Sequence, residues 1–226
     1  MQDYLDALIH WARQNDMLIN SAKTKEMIMG RVPACNVPQL TTEIGQIERV
    51  HFFKLLGVYV DDSISWNSHI EYITAKAAKR LYFLKILKRS GLSHQCLRHF
   101  YIAAIRPILE YCSVVWGHNL SQKQSSQLES IQKRAARLIY EVTRNMPYNF
   151  VLCYSDLSSL EVRRTEHAES FFKSILDQSS CLHHLLPQKR DDAVVSRLRS
   201  SKPLPLPFVR TKKFQSFINY GLRWYQ

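Results

Sequence analysis

Two adjacent carboxylates close the run Phe52-Phe53-Lys54-Leu55-Leu56-Gly57-Val58-Tyr59-Val60-Asp61-Asp62. A carboxylate pair at the end of an apolar strand can hold Mg²⁺ for phosphoryl chemistry. Catalytic pairs of that kind occupy a hairpin turn and work with a third carboxylate from an earlier strand. Here the chain leaves Asp62 through Ser63-Ile64-Ser65-Trp66 directly into a helical pattern. The upstream acids Asp3, Asp6, Asp16, Glu26, Glu43 and Glu48 do not end apolar strands. Asp61 and Asp62 therefore read as turn and cap residues, and no metal site is assigned to them. Cys181-x-His183-His184 lacks four ligands at workable spacing. His69 and His99 read as packing or capping residues. Trp66, Trp116 and the tyrosines read as core instead of stacking platforms. Gly-x-Ser-x-Gly, His-Glu-x-x-His and Gly-x-x-x-x-Gly-Lys patterns do not occur.

Cationic rows are the second chemical signal. The net charge is +12, and it is unevenly spread. Residues 1–66 carry six Lys/Arg against eight Asp/Glu, residues 67–145 thirteen against four, and residues 146–226 twelve against seven. A basic central segment is the footprint expected of a polyphosphate partner. Lys76, Lys79 and Arg80 share one side of a helix, and Lys133, Arg134 and Arg137 share one side of another. Such rows can track a nucleic-acid backbone through charge-assisted contacts to phosphate. The competing reading is a pair of solvated helix faces.

The elements that must carry these residues are legible in outline. Tyr4, Leu5, Leu8, Ile9, Trp11 and Ala12 recur at helical spacing over about residues 2–15. Residues 24–29 read as a short strand ending at Gly30, and Val32–Leu40, with Pro33 and Pro38, as a loop. Two extended runs follow near Glu43–Arg49 and His51–Val60. From Ser68 the pattern is helical, with Ile70, Ile73, Ala77, Leu81 and Leu84 as the inward stripe and Ser68-x-x-Glu71 as a capping box. Gly91 ends that helix and Ser93 caps the next, in which Pro107 predicts a kink or break. Ser121-x-x-Gln124 opens a helix with Leu128, Ile131, Ala135 and Leu138 inward. Ser158-x-x-Glu161 opens another through about Leu176. Residues 188–210, with Lys202-Pro203-Leu204-Pro205-Leu206-Pro207, read as a linker or extended tail. Phe214, Phe217, Ile218 and Leu222 form a last amphipathic stretch. The fold class is α+β, mostly α: a small helix and β-hairpin (1–66), a basic helical bundle (67–145), a further helical segment (146–187), and a linker with a C-terminal helix (188–226). No apolar run approaches the roughly 18–20 residues of a membrane span. Five cysteines, none in a Cys-x-x-Cys pair, suit reduced thiols in the nucleus or cytoplasm.

The order of several segments resembles one family. Phe53-Lys54-x-Leu56-Gly57-Val58-x-x-Asp61 followed by Ser65-Trp66-x-x-His69-Ile70 is similar to the segment after the palm in non-LTR (LINE-like, jockey-like) retrotransposon reverse transcriptases. Trp11-Ala12, Asn20-x-x-Lys23-Thr24-x-x-Met27, Ile105-Arg106-Pro107 through Trp116, Leu128-Glu129-x-x-Gln132-x-x-Ala135-x-Arg137 and Leu160-Glu161-x-Arg163-Arg164 fit the same order. The resemblance implies the end of a palm followed by a thumb, with the catalytic Tyr-x-Asp-Asp box N-terminal to Met1 and Tyr59-Val60-Asp61-Asp62 a coincidental look-alike. It implies that Lys23 could neutralise a leaving phosphate, with a structural role at the strand start equally open. It also implies that Leu56-Gly57 form a primer-positioning hairpin. Lys76, Lys79, Arg80, Lys133, Arg134 and Arg137 would grip an RNA template and DNA primer. Mg²⁺ is expected only for an intact polymerase that includes a missing N-terminal portion. The resulting expectation is a C-terminal reverse transcriptase fragment, inactive alone. The alternatives are a non-catalytic RNA- or hybrid-duplex-binding module and a transposon remnant without activity.

Overall fold

The structure, a computed structural model, describes residues 1–30, 37–43, 45–197, 203–210 and 216–225. It divides into two compact units, residues 1–69 and 70–226. Mostly helical content with two-stranded sheets gives the expected α+β, mostly α class.

The first unit opens with α1 (Gln2–Gln14), whose Ala12 is buried. The strands are short. β1 (Lys25–Glu26) pairs in parallel with β4 (Glu48–Arg49), and β2 (Thr41–Thr42) pairs antiparallel with β3 (Gly45–Gln46). The strand expected over 24–29 thus shrinks to two residues. Its Glu26 is engaged by Arg49 and accepts from the Leu40 amide. Much of the loop expected over Val32–Leu40, and Ile44 within the first extended run, lie outside the described residues. β5 (Phe52–Leu55) and β6 (Val58–Asp61) form an antiparallel hairpin with Leu55 opposite Val58. Its two-residue turn places Leu56 at φ 47° and Gly57 at φ 90°. Positive φ at both central positions is the type I′ geometry that matches strand twist.

The second unit is helical. α2 (Asn67–Arg89) starts within the first unit and carries the expected inward stripe: Ile70, Ile73, Ala77, Leu81 and Leu84 are all buried. Its start differs from expectation. The helix begins at Asn67, before Ser68, and Ser65 Oγ accepts from the Asn67 amide at 3.4 Å. Gly91 (φ 79°) ends it, and Ser93 caps α3 (His94–Phe100). A π-helical turn over Tyr101–Ile105 leads to α4 (Arg106–Glu110). The chain then breaks at Cys112, in the left-handed region, before α5 (Ser113–Trp116). Pro107 lacks an amide hydrogen and crowds the preceding turn, so an uninterrupted helix here would be strained.

α6 (Gln122–Ile139) has the full Ser121/Gln124 capping box. Leu128, Ile131 and Ala135 face inward as expected, but Ile139 takes the buried place expected of Leu138. α7 (Tyr148–Ser155) and α8 (Leu160–Ile175) follow, and Ser159, one residue later than expected, caps α8. Gln132 ties these helices together. It accepts from Tyr101 Oη at 2.6 Å and donates to Tyr148 Oη at 3.1 Å and to the Ser158 carbonyl at 2.8 Å. A fully buried amide is tolerated because its groups are paired. The chain continues through α9 (Asp192–Val195) to α10 (Phe217–Trp224), which packs on α8. Phe172, Ile175 and Leu222 are buried together with Leu204 from the proline-rich stretch, so that stretch contributes to the core. Lys202 and Phe214 lie outside the described residues.

Candidate nucleic-acid interface

Local partners engage the acidic pair. Asp61 Oδ1 accepts from Ser63 Oγ at 2.6 Å and the Ser65 amide at 2.9 Å, and Oδ2 accepts from Ser65 Oγ at 2.7 Å. Burial works to raise the Asp61 carboxyl, but these hydrogen bonds outweigh it and hold the group below its usual value. Asp62 sits 2.8 Å from His51 Nδ1. The pair therefore organises the turn from β6 into α2. Among the described residues, no group of three or more His, Cys, Asp or Glu is placed to hold a metal ion. His183 and His184 each bond a nearby backbone carbonyl through Nδ1, those of Ile175 and Cys181.

His69 is fully buried, and its Nδ1 accepts from the Tyr59 amide at 3.3 Å. Burial pulls its pKa down to about 4, so it is a neutral packing residue at physiological pH. Lys23 is exposed in a turn where its amide donates to Asn20. Leu56 and Gly57 are the hairpin turn already described.

The cationic rows divide unevenly. Lys76, Lys79 and Arg80 are exposed on α2, with the Lys76 ammonium 5.9 Å from the Tyr72 ring centroid. On α6, Lys133 lies 5.9 Å from the Tyr148 ring centroid. Arg137 donates to the Met146 carbonyl at 2.9 Å.

Arg134 and Arg137 do converge with other cations. A groove of about 760 Å³ runs between the C-terminal halves of α2 and α6. Lys85, Lys88 and Tyr82 come from α2, Arg134 and Arg137 from α6, and Arg144 from the turn beyond it. Lys88 bridges the two walls, donating to the Leu138 carbonyl at 2.7 Å and Glu141 at 2.6 Å. That contact lowers the exposed Glu141 carboxyl. Lys85, Arg134 and Arg144 are exposed and form no ion pair within 4.0 Å among the described residues. Lys76, Lys79, Arg80 and Lys133 do not line the groove.

A second cavity, of about 240 Å³, contains Arg164, whose Nη2 donates to Ser125 Oγ at 2.9 Å. Burial lowers that guanidinium, and its charge is withdrawn from solvent. The groove, by contrast, holds several cations in the open.

Sequence reasoning missed Lys85, Lys88, Arg144 and Tyr82. Their signal was present: Tyr82, Lys85 and Lys88 form one row of three-residue spacings, and Arg134, Arg137, Glu141 and Arg144 follow at three and four. The reading of the tyrosines as core is corrected for Tyr4, Tyr82, Tyr111, Tyr154 and Tyr225, all exposed, with Tyr82 at 63%; Trp66, Trp116 and Tyr101 are core.

Residues 66–106 match the family model described as alkylated DNA repair protein alkB homolog 8, N-terminal. The match covers less than half of the chain and spans α2, α3 and the π-helical turn. No curated protein and no solved structure matches. The finding corrects the resemblance to non-LTR reverse transcriptases. The matched residues hold Trp66, His69 and Ile70 of the supposed palm–thumb junction and the start of the supposed thumb signature, yet they point to a different family. Polymerase descent and transposon origin fall with it. Among the described residues, no helix is long and apolar enough to cross a membrane.

Proposed function

We propose that this chain is a non-catalytic nucleic-acid-binding module whose α2–α6 groove receives the backbone of an RNA. The observation that carries the reading is the convergence of Lys85, Arg134, Arg137 and Arg144 on one open groove with a single carboxylate, Glu141, already held by Lys88. Cations that outnumber their protein counter-ions can exchange their solvent ions for phosphates, and the released counter-ions drive binding. The family model over residues 66–106 supports the reading, because it is named for a protein of DNA repair and because that segment supplies one wall of the groove.

Fluorescence anisotropy with a labelled RNA tests the proposal. If the four named groove cations each neutralise one phosphate, affinity falls about 50-fold between about 50 and 200 mM salt, from a slope of about −0.7 per contact. Arg134→Gln with Arg144→Gln weakens binding and roughly halves that slope. Salt-independent binding, or none, refutes the reading.

A further inference from the structure

The margin of the groove carries aromatic surface that core packing does not consume. Four rings run in contact from the start of α3, past the end of α6, to α7. The centroids of His94 and Tyr140 are 5.5 Å apart, and those of Tyr140 and Tyr154 5.5 Å. Tyr154 and Phe150 are 6.2 Å apart and within 19° of parallel. Tyr154 and Phe150 remain 52% and 48% exposed. The ladder lies outside the groove lining but begins beside it: Tyr140 immediately precedes the groove residue Glu141, and His94, the first ring, is near enough to act electrostatically on that carboxylate. On the other wall, Tyr82 lines the groove itself and remains 63% exposed.

Building on the nucleic-acid reading above, we infer that this face binds single-stranded polynucleotide, with bases stacked on Tyr154, Phe150 and Tyr82 and phosphates along the groove cations. The strand's state follows from what each surface offers. In a duplex both faces of nearly every base are covered by neighbours, so exposed rings gain little from it. Unpaired bases present π faces to aromatic side chains while their phosphates meet Lys and Arg, and recognition of this type tolerates sequence. Interleaved cations also disfavour a purely apolar occupant, since burying Lys85, Arg134 and Arg144 unpaired would be costly.

The test uses the full chain and four labelled probes of about 12 nucleotides, within the range of strand lengths such surfaces cover. The probes are oligo(U), oligo(dT), an abasic strand and a blunt duplex. Expected is binding of oligo(U) or oligo(dT) at least about 10-fold tighter than of the abasic strand or the duplex, and the two arms separate RNA from DNA preference. Tyr154→Ala and Phe150→Ala should each weaken single-strand binding by about 10-fold without changing its salt slope, while Tyr154→Phe retains it. Should the α7 variants unfold, Tyr82→Ala, at an exposed helix position, carries the same expectation. Equal affinity for all four probes, with aromatic variants neutral, overturns this inference and leaves the groove reading standing. Binding to none of the probes overturns both and leaves the face to an acidic protein partner.

Discussion

Replacing Gly221 by Ala sets two known effects against each other, and the structure decides between them. Gly221 lies in the middle of α10, where Ala is favoured by about 1 kcal/mol in an otherwise free helix. A Cβ there would lie 2.8 Å from Phe172 Cβ and closer still to ring carbons Cγ and Cδ2. Ordinary carbon contacts need about 3.5–4.0 Å, so something must move by roughly an ångström. Phe172 has little room to yield. It is fully buried, packed with Ile175, Leu204 and Leu222, with the Tyr225 ring edge-on at 5.7 Å. Overpacking of this kind costs about 1–3 kcal/mol, and lifting α10 off α8 would instead expose Leu222 and Phe172. With three Phe172 carbons inside contact distance the cost falls in the upper part of that range, about 2–3 kcal/mol, so the expected net is a destabilisation of about 1–2 kcal/mol once the propensity gain is subtracted. Urea denaturation of the two proteins measures it. Amide exchange at Tyr225, whose N–H donates to the Gly221 carbonyl at 3.0 Å, reports whether α10 loosens. A variant as stable as the parent, or about 1 kcal/mol more stable, would show that the close approach of α10 to α8 is wrong.

Two further perturbations address the other unit and the buried histidines. Leu56→Asn should stabilise the β5–β6 hairpin by about 1 kcal/mol, because Leu56 is 84% exposed at a left-handed turn position that Asn adopts at lower cost; slower exchange of the Val58 amide checks this, and faster exchange refutes it. His69 and His118 are both held by burial at about 4 against an ordinary 6.5, so between those values the unfolded chain binds more protons and stability falls as pH drops. From pH 7 to about pH 5 each should remove about 2 kcal/mol. A urea midpoint that does not fall over that range, or the same fall in His69→Gln, would sink the assignment.

Local rules read correctly wherever the deciding contacts were close in sequence. The Ser121/Gln124 box, the Gly91 stop and the inward stripe of α2 need only neighbours a few residues away, and all are present; ahead of Pro107 the helix widens into the π-helical turn, and the break itself comes at Cys112. Failures came where two chemically equivalent residues competed. Ser158 and Ser159 can each cap α8, and Leu138 and Ile139 can each face inward; tertiary packing chose the second of each pair. The helix start at Asn67 was hidden for another reason. Asp61 and Ser65 build the preceding turn through hydrogen bonds, with Ile64 and Trp66 at φ 51° and 61°, a conformation that residue type does not announce.

The site was half legible for the same physical reason. A row of cations on one helix shows in its spacing, but a groove needs two rows facing each other, and the pairing of α2 with α6 is a property of the packed bundle. Lys88 illustrates the point. In sequence it is one of several lysines on α2, whereas in the fold it spans to the Leu138 carbonyl and Glu141 and so ties the two walls of the groove together. That contact also engages Glu141, the only carboxylate in the lining among the described residues, which leaves Lys85, Arg134 and Arg144 to dominate the local potential. At an effective dielectric of about 80, unit charges at 4 Å interact by only about 1 kcal/mol, so no single cation decides binding. Several cations in one groove, with little competing carboxylate, produce the steep salt dependence by which the reading stands or falls. Asp61 and Asp62, the most conspicuous acids in the sequence, are held in local turns and lie outside the groove lining.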